Sequence, residues 1–305
     1  MINSTIKLFL VSILLIYLCS CAKDVNITMQ QAIIKGNIEE VKKLMSSNAL
    51  KNKPFLLFLA IDKKQYEILK ILLENGYTSS PDKAESPIRY ACQKGDVKAL
   101  NILLQHGADA NETSKDDFTP LMSAAYGGHL ECVKTLIAHG AKINTSDKLS
   151  FPAGTGTPLY KALVNGHPLV VEELLKNGAK YDISYLQKKL NIYIEFKKNK
   201  NLEAALMFPV NINYLNKDGV TPLMLAASFQ NLDAIKVLIE KGAKINLQGT
   251  GAAEKGWTAL DCANATSTTE DRAQIIKFLK SHGAKTGEEL KNESSPAPST
   301  SGKIL

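Results

Sequence analysis

The phrase Thr-Pro-Leu-x-x-Ala recurs along this chain, and a Gly-Ala pair follows each copy. It reads Thr119-Pro120-Leu121-Met122-Ser123-Ala124, Thr157-Pro158-Leu159-Tyr160-Lys161-Ala162 and Thr221-Pro222-Leu223-Met224-Leu225-Ala226. Ser86-Pro87-Ile88 and Thr258-Ala259-Leu260 are weaker copies. The Gly-Ala pairs are Gly107-Ala108, Gly140-Ala141, Gly178-Ala179, Gly242-Ala243 and Gly283-Ala284. Gly107 to Gly140 is 33 residues, as is Pro87 to Pro120. A fixed period of this size predicts a solenoid, in which each unit buries its apolar face against its neighbours. It also points away from a catalytic cleft and toward an extended recognition surface.

Each copy reads as two helices. Thr119 is a natural N-cap, and Pro120 suits the first helical position, where no N–H is needed. Ala124 and Ala125 keep the first helix thin, and Gly128 ends it. Leu130, Val133, Leu136 and Ile137 give the second helix its apolar stripe. This arrangement resembles the ankyrin repeat family, which implies two antiparallel helices per repeat and a protruding finger between repeats. The expected fold is an all-α ankyrin solenoid of about eight units over 26–286, with less regular end units as caps.

The sixth unit is degenerate. Tyr185 to Lys198 stands for its first helix and Leu202 to Met207 for a short second one, and Pro209 replaces the usual Gly. The eighth carries extra residues around Ser267 to Glu270. Two fingers are enlarged, at Ser150 to Gly154 and at Gly249 to Ala252. Insertions in solenoids map to loops on one face, often the binding face. From Gly287 to Leu305 the chain is polar, and composition predicts a disordered tail. The family often places His after Thr-Pro-Leu to bond neighbouring repeats. Arg89, Met122, Tyr160, Met224 and Asp261 stand there instead, so that ladder is expected to be missing.

Residues 1–20 differ from the rest. Leu8 to Leu18 is apolar except for Ser12, too short to span a bilayer as a helix and suited to a signal peptide core. Leu18-Cys19-Ser20-Cys21 follows. This resembles a bacterial lipoprotein signal and implies cleavage before Cys21, lipid on that residue, and a short tether over 21–25. In a Gram-negative cell, Ala22 after the Cys implies the periplasmic face of the outer membrane. An ordinary cleaved signal or an uncleaved anchor is the alternative reading.

The net charge of +7 is carried almost wholly by Lys, with Arg89 and Arg272 the only arginines. Bidentate readout of phosphate or guanine prefers Arg, so no nucleic-acid partner is expected. Lys142, Lys180, Lys244 and Lys285 recur after Gly-Ala, where they complement a helix dipole. His106, His139 and His282 share one register, and His129 and His167 another. Stacked repeats lie about 10 Å apart, too far for joint ligation at about 2 Å. Cys92, Cys132 and Cys262 sit among apolar helix residues and read as buried structural thiols. No acid, base and nucleophile are brought together, so neither enzyme activity, cofactor nor metal is expected.

Large apolar residues that helix packing does not need are the candidate partner contacts. Phe118, Val220 and Trp257 lie just before the Thr of their repeats, at the finger base. Tyr126 and Phe229 lie near the ends of first helices, which the resemblance turns to the concave side. Aromatic anchors of this kind are typical of protein interfaces. The expected role is a monomeric, non-catalytic binder of another protein at the cell envelope. An immunity protein blocking a secreted toxin such as a lipid hydrolase, or an envelope scaffold, are the alternatives. The partner is expected between the fourth and eighth repeats.

Overall fold

The computed structural model describes residues 25–45, 53–78, 86–150, 155–252 and 255–294. Residues 1–24, with Cys21 and the signal-like run, lie outside them, as do 151–154 of one enlarged finger and 295–305. The described residues form helices and no strands. They pair along the chain: α1 over 25–35 with α2 (Ile38–Met45), α3 (Phe55–Asp62) with α4 (Tyr66–Glu74), α5 (Pro87–Lys94) with α6 (Val97–Gln105), and α7 (Pro120–Gly127) with α8 (Leu130–Ala138). There follow α9 (Pro158–Val164) and α10 (Pro168–Lys176), then α11 (Ile183–Glu195) with α12 (Asn199–Ala205), α13 (Pro222–Ser228) with α14 (Leu232–Glu240), α15 (Ala259–Ala265) with α16 (Glu270–Ser281), and α17 (Gly287–Ser294). Among the described residues no helix is long and apolar enough to cross a membrane.

The helix starts follow from local chemistry. Ser86, Thr119 and Thr221 accept from the backbone N–H of Arg89, Met122 and Met224 at 3.2, 3.2 and 3.1 Å. Each is followed by Pro at the first helical position. The second helices α4, α6, α8, α10, α14 and α16 end in a shared way. Gly140, at φ 79, takes a left-handed turn that Gly tolerates without strain. That turn lets Ala141 N–H reach the Leu136 carbonyl at 3.0 Å.

Packing divides the chain into two compact units. The first runs to Ala162 and includes Glu173–Ala179; the second holds Leu163–Glu172 and everything from Lys180. In the first, α3, α5 and α7 pack side by side, and α4, α6 and α8 form a second layer. In the second, α11, α13 and α15 do the same beside α12, α14 and α16. Fully buried Ala91, Ala124 and Ala125 let α5 and α7 approach closely, and Ala226 and Ala227 serve α13 in the same way.

The inter-repeat ladder that the missing His put in doubt is supplied by other residues. Asn111 donates to the Gly140 carbonyl at 2.9 Å and accepts from Lys142 N–H at 2.7 Å. Asn246 repeats this with Gly283 at 3.0 Å and Lys285 at 2.8 Å. Asn144 donates to Gly178, and Asn213 accepts from Lys244 N–H. A second ladder joins the helix turns: His129 Nε2–H donates to the Gln93 carbonyl at 3.0 Å. Asn201 donates to Leu163 and Val164 at 2.7 and 2.8 Å.

Two elements depart from the sequence expectation. In the sixth repeat α11 starts earlier than expected because Asp182 caps it, accepting from Ser184 N–H at 2.8 Å. It ends earlier because Lys197 turns left-handed at φ 50. The second departure is α17, which occupies 287–294 where composition predicted disorder. A capping box sets it: Thr286 N–H donates to Glu289 Oε2 at 2.7 Å, and Glu289 N–H to Thr286 Oγ1 at 3.2 Å. Gly287 N–H adds a bond to Asp261 Oδ2 at 2.7 Å.

Candidate functional site

The three finger-base candidates occupy one structural register. Phe118, Val220 and Trp257 each follow a residue with positive φ, namely Asp117 at 59°, Gly219 at 72° and Gly256 at 81°. Each closes a tight loop through its carbonyl, which accepts from Ser114, Asn216 or Gly249 N–H at 3.1, 3.0 or 2.8 Å. In the enlarged finger of the fifth repeat the same register holds Gly156, whose carbonyl accepts from Asp147 N–H at 3.4 Å. A Cβ there would lie 2.6 Å from Asp147 Oδ1, so the buried carboxylate occupies the space a side chain would need.

Phe118 and Tyr126 come together in the first unit. They line a cleft of about 560 Å³ with Phe58, Tyr90, Arg89 and Lys161. Phe58 and Tyr90 meet edge to face with ring centroids 5.2 Å apart. Lys94 Nζ lies 5.2 Å from the Tyr90 ring centre, and Lys161 Nζ 5.4 Å from that of Phe118. Tyr126 is 54% exposed. Phe58 and Tyr90 were not among the sequence candidates. Their signal was available in the register: both stand three residues into a first helix, as do Ser123 and Lys161, which also line the cleft.

The cleft's two half-buried cations are each compensated from behind. Arg89 faces Glu112 at 3.8 Å. Burial opposes the guanidinium charge, and Glu112 restores part of it. Lys161 Nζ stands 2.6 Å from Asp147 Oδ2. Burial works against the Asp147 charge, but bonds from Lys161 and Ser150 win and hold the carboxyl below its usual range. The surface that remains is aromatic and amphipathic, suited to apolar and hydrogen-bonding contact with a partner.

In the second unit, Trp257 is 38% exposed and lines a hollow with Gln248, Asp261 and Leu290 of α17. Val220 is half-buried. Phe229, 39% exposed, caps the C-terminus of α13 and so sits in the turn to α14. None of these three lines the Phe118 cleft.

The remaining candidates have structural partners. His106, His139 and His282 each donate from Nδ1 to the carbonyl four residues back, at 2.8, 2.9 and 2.9 Å. Cys92, Cys132 and Cys262 are free and buried. Burial first, then Asp96 and Glu131, pushes the Cys132 thiol up to about 12, which keeps it protonated. Lys142, Lys244 and Lys285 lend their backbone N–H groups to the asparagine ladder. Among the described residues no group of His, Cys, Asp or Glu could hold a metal ion.

A family model described as ankyrin repeats (3 copies) matches residues 57–147, 88–185 and 190–289. Ankyrin repeat and SAM domain-containing protein 6 of Rattus norvegicus is 38% identical over 90 residues, 30% of this chain and 9% of that protein. A putative ankyrin repeat protein of Rickettsia bellii is 32% identical over 107 residues, 31% of this chain and 63% of that one. Alpha-latrocrustotoxin-Lt1a of Latrodectus tredecimguttatus is 31% identical over 97 residues, 31% of this chain and 7% of the toxin. The matches thus span less than two thirds of these relatives' lengths. Among solved structures, the human ASB11 ankyrin repeat domain is 27% identical, with 70% of this chain and 94% of that one covered and a TM-score of 0.46.

Proposed function

Because the chain belongs to the ankyrin repeat family, whose repeats are a protein-binding module, we propose that it is a non-catalytic receptor for another protein at a bacterial cell envelope. In this reading a lipid on Cys21 holds it to the periplasmic face of the outer membrane as a monomer. The partner docks in the cleft of the first unit, with Phe118 and Tyr126 as anchors beside Phe58 and Tyr90. Val220 and Trp257 offer further contacts in the second unit.

One observation carries the reading. Four aromatic side chains from neighbouring repeats line one cleft whose cations are already neutralised. Such a surface has little charge left to strip of water, and large rigid aromatics supply contact area at low entropic cost. The test places a photo-crosslinking side chain at Tyr126 and, as control, at Lys134 on α8, in cells that make the full chain. A discrete adduct from position 126 and none from 134 is the expected result. Equal adducts from both, or none from 126, would refute the cleft. The anchor is tested separately: Cys21→Ser should abolish incorporation of an acyl label, and unchanged labelling would remove that part.

A further inference from the structure

The turns that join the two helices of each repeat form a fixed row in the second unit. Asn201, 8% exposed, ties the 196–201 turn to the end of α9 through the Leu163 and Val164 carbonyls at 2.7 and 2.8 Å. A Cβ on Gly166 would lie 3.1 Å from that of Lys200, so the two turns touch. On the other side Asn231, 3% exposed, donates to the Ile194 carbonyl at 3.2 Å and to Asn199 Oδ1 at 3.0 Å. Asn199 in turn donates to Asp233 Oδ2 at 3.2 Å. Buried amides therefore hold the 164–169, 196–201 and 229–233 turns side by side.

Apolar side chains stand out along this row. Leu169 is 63% exposed, Phe196 64%, Phe229 39% and Val164 49%, with Ile192 at 39% one helical turn before Phe196. The first unit supplies an internal comparison. Three residues before the start of the second helix it carries Lys63, Lys94 and Gly127, where α12 and α14 of the second unit are preceded by Phe196 and Phe229. One residue into the second helix it carries Glu67, Lys98 and Glu131; in the second unit α12 and α14 carry Lys200 and Asp233 there, and α10 alone presents an apolar Leu169. The repeat does not need apolar groups at these positions. Exposed Lys197, Lys198 and Lys200 interleave with them around Phe196, while exposed Glu195, Glu203 and Asp233, and Glu172 beside Leu169, are acids nearby.

We propose that this row of turns is a docking surface for an anionic lipid bilayer, with Leu169, Phe196 and Phe229 entering the headgroup region and the lysines pairing with lipid phosphates. The surface is independent of the cleft in the first unit. Apolar side chains that project singly from successive turn tips fit an interface that yields around each one. Lysines beside them gain from the negative potential of anionic headgroups. Apolar insertion and a basic cluster are the paired signals that peripheral attachment uses.

Trp257 is the only tryptophan, so a full-length chain with Trp257→Phe and Phe196→Trp reports from the row alone. It is mixed with vesicles of phosphatidylcholine, with or without phosphatidylglycerol. With phosphatidylglycerol the emission should shift to the blue and be quenched by brominated acyl chains, and salt should reverse both. Adding Lys197→Gln, Lys198→Gln and Lys200→Gln should weaken the response roughly 100-fold. A reporter that stays in water while the chain sediments with the vesicles would overturn the proposal. So would an equal response to neutral vesicles, or a shift produced by a soluble envelope protein without lipid. If Phe196→Trp lowers the helical circular dichroism, Leu169→Trp in the same background gives the same reading.

Discussion

Lys161 holds Asp147 across the base of the enlarged finger, its Nζ 2.6 Å from a carboxylate whose side chain is 1% exposed. The same carboxylate accepts from Leu149 and Ser150 N–H at 3.1 and 2.8 Å. One buried group thus organises both the finger and one wall of the aromatic cleft.

Its removal is expected to cost about 1–3 kcal/mol, between the values for surface and buried pairs. The pH dependence has a definite sign. Asp147 titrates below the ordinary value of 3.8 in the folded chain. Its contribution is therefore full above that value and is lost as pH falls through the lower folded one. In urea unfolding, the gap between wild type and Asp147→Asn should be steady near neutral pH and close on acidification below about pH 4. A gap that does not change with pH would show that packing, not charge, is what the substitution removes.

The sixth repeat is the expected weak point of the second unit. Its second helix, α12, has 7 residues against 9 in α8, and Asn201 alone supplies the described bonds that tie its start to the Leu163 and Val164 carbonyls. Hydrogen exchange should be faster across 183–205 than across 120–138. Asn201→Ala removes both bonds from the buried amide, leaving the Leu163 carbonyl with Gly166 N–H at 3.2 Å, and should cost about 1–3 kcal/mol. Equal protection in both segments would contradict the first expectation.

The helices were legible because their signals are local. Thr or Ser, then Pro, then small residues and Gly fix each pair in the third, fourth and seventh repeats without reference to the rest of the chain. The ladders were not legible, because Asn111 and Asn201 act on carbonyls 29 and 38 residues away. The two asparagines also stand in registers other than the position after Thr-Pro-Leu, where the family often has His. The cleft was half legible. Phe118 and Tyr126 stood out as large side chains without a packing role, whereas Phe58 and Tyr90 passed as ordinary helix residues. The α17 helix was misread because composition alone was followed, and the bonds between Thr286 and Glu289 that start the helix show only in the structure.

Gly219 is where two fingers of the second unit touch. Thr250 N–H donates to its carbonyl at 2.9 Å, and a Cβ at Gly219 would lie 2.1 Å from Gly251 N. Gly242 also has positive φ, at 89°, but its Cβ would meet nothing within 4 Å. Gly242→Ala should cost only the left-handed strain, about 1 kcal/mol. Gly219→Ala should cost clearly more and should speed proteolysis of the enlarged finger at Lys255. If both variants unfold at the same urea concentration, the contact between the fingers contributes nothing to stability.

Asp261 links the last repeat to α17. Its Oδ2 accepts from Thr258 N–H at 2.8 Å, Thr258 Oγ1–H at 3.0 Å and Gly287 N–H at 2.7 Å. Asp261→Ala removes all three bonds, and the loss is expected at about 1–3 kcal/mol, felt mainly at the α17 junction. Trp257 shares its hollow with Leu290 of that helix and is the chain's one tryptophan, so it reports the event directly. Release of α17 should move its emission to the red and open the chain to trypsin at Lys285 and Lys291. Glu289→Ala, which breaks the capping box but spares Asp261, should fray α17 with a smaller shift. An Asp261→Ala chain with wild-type emission and wild-type cleavage would mean that α17 is held through contacts other than Asp261.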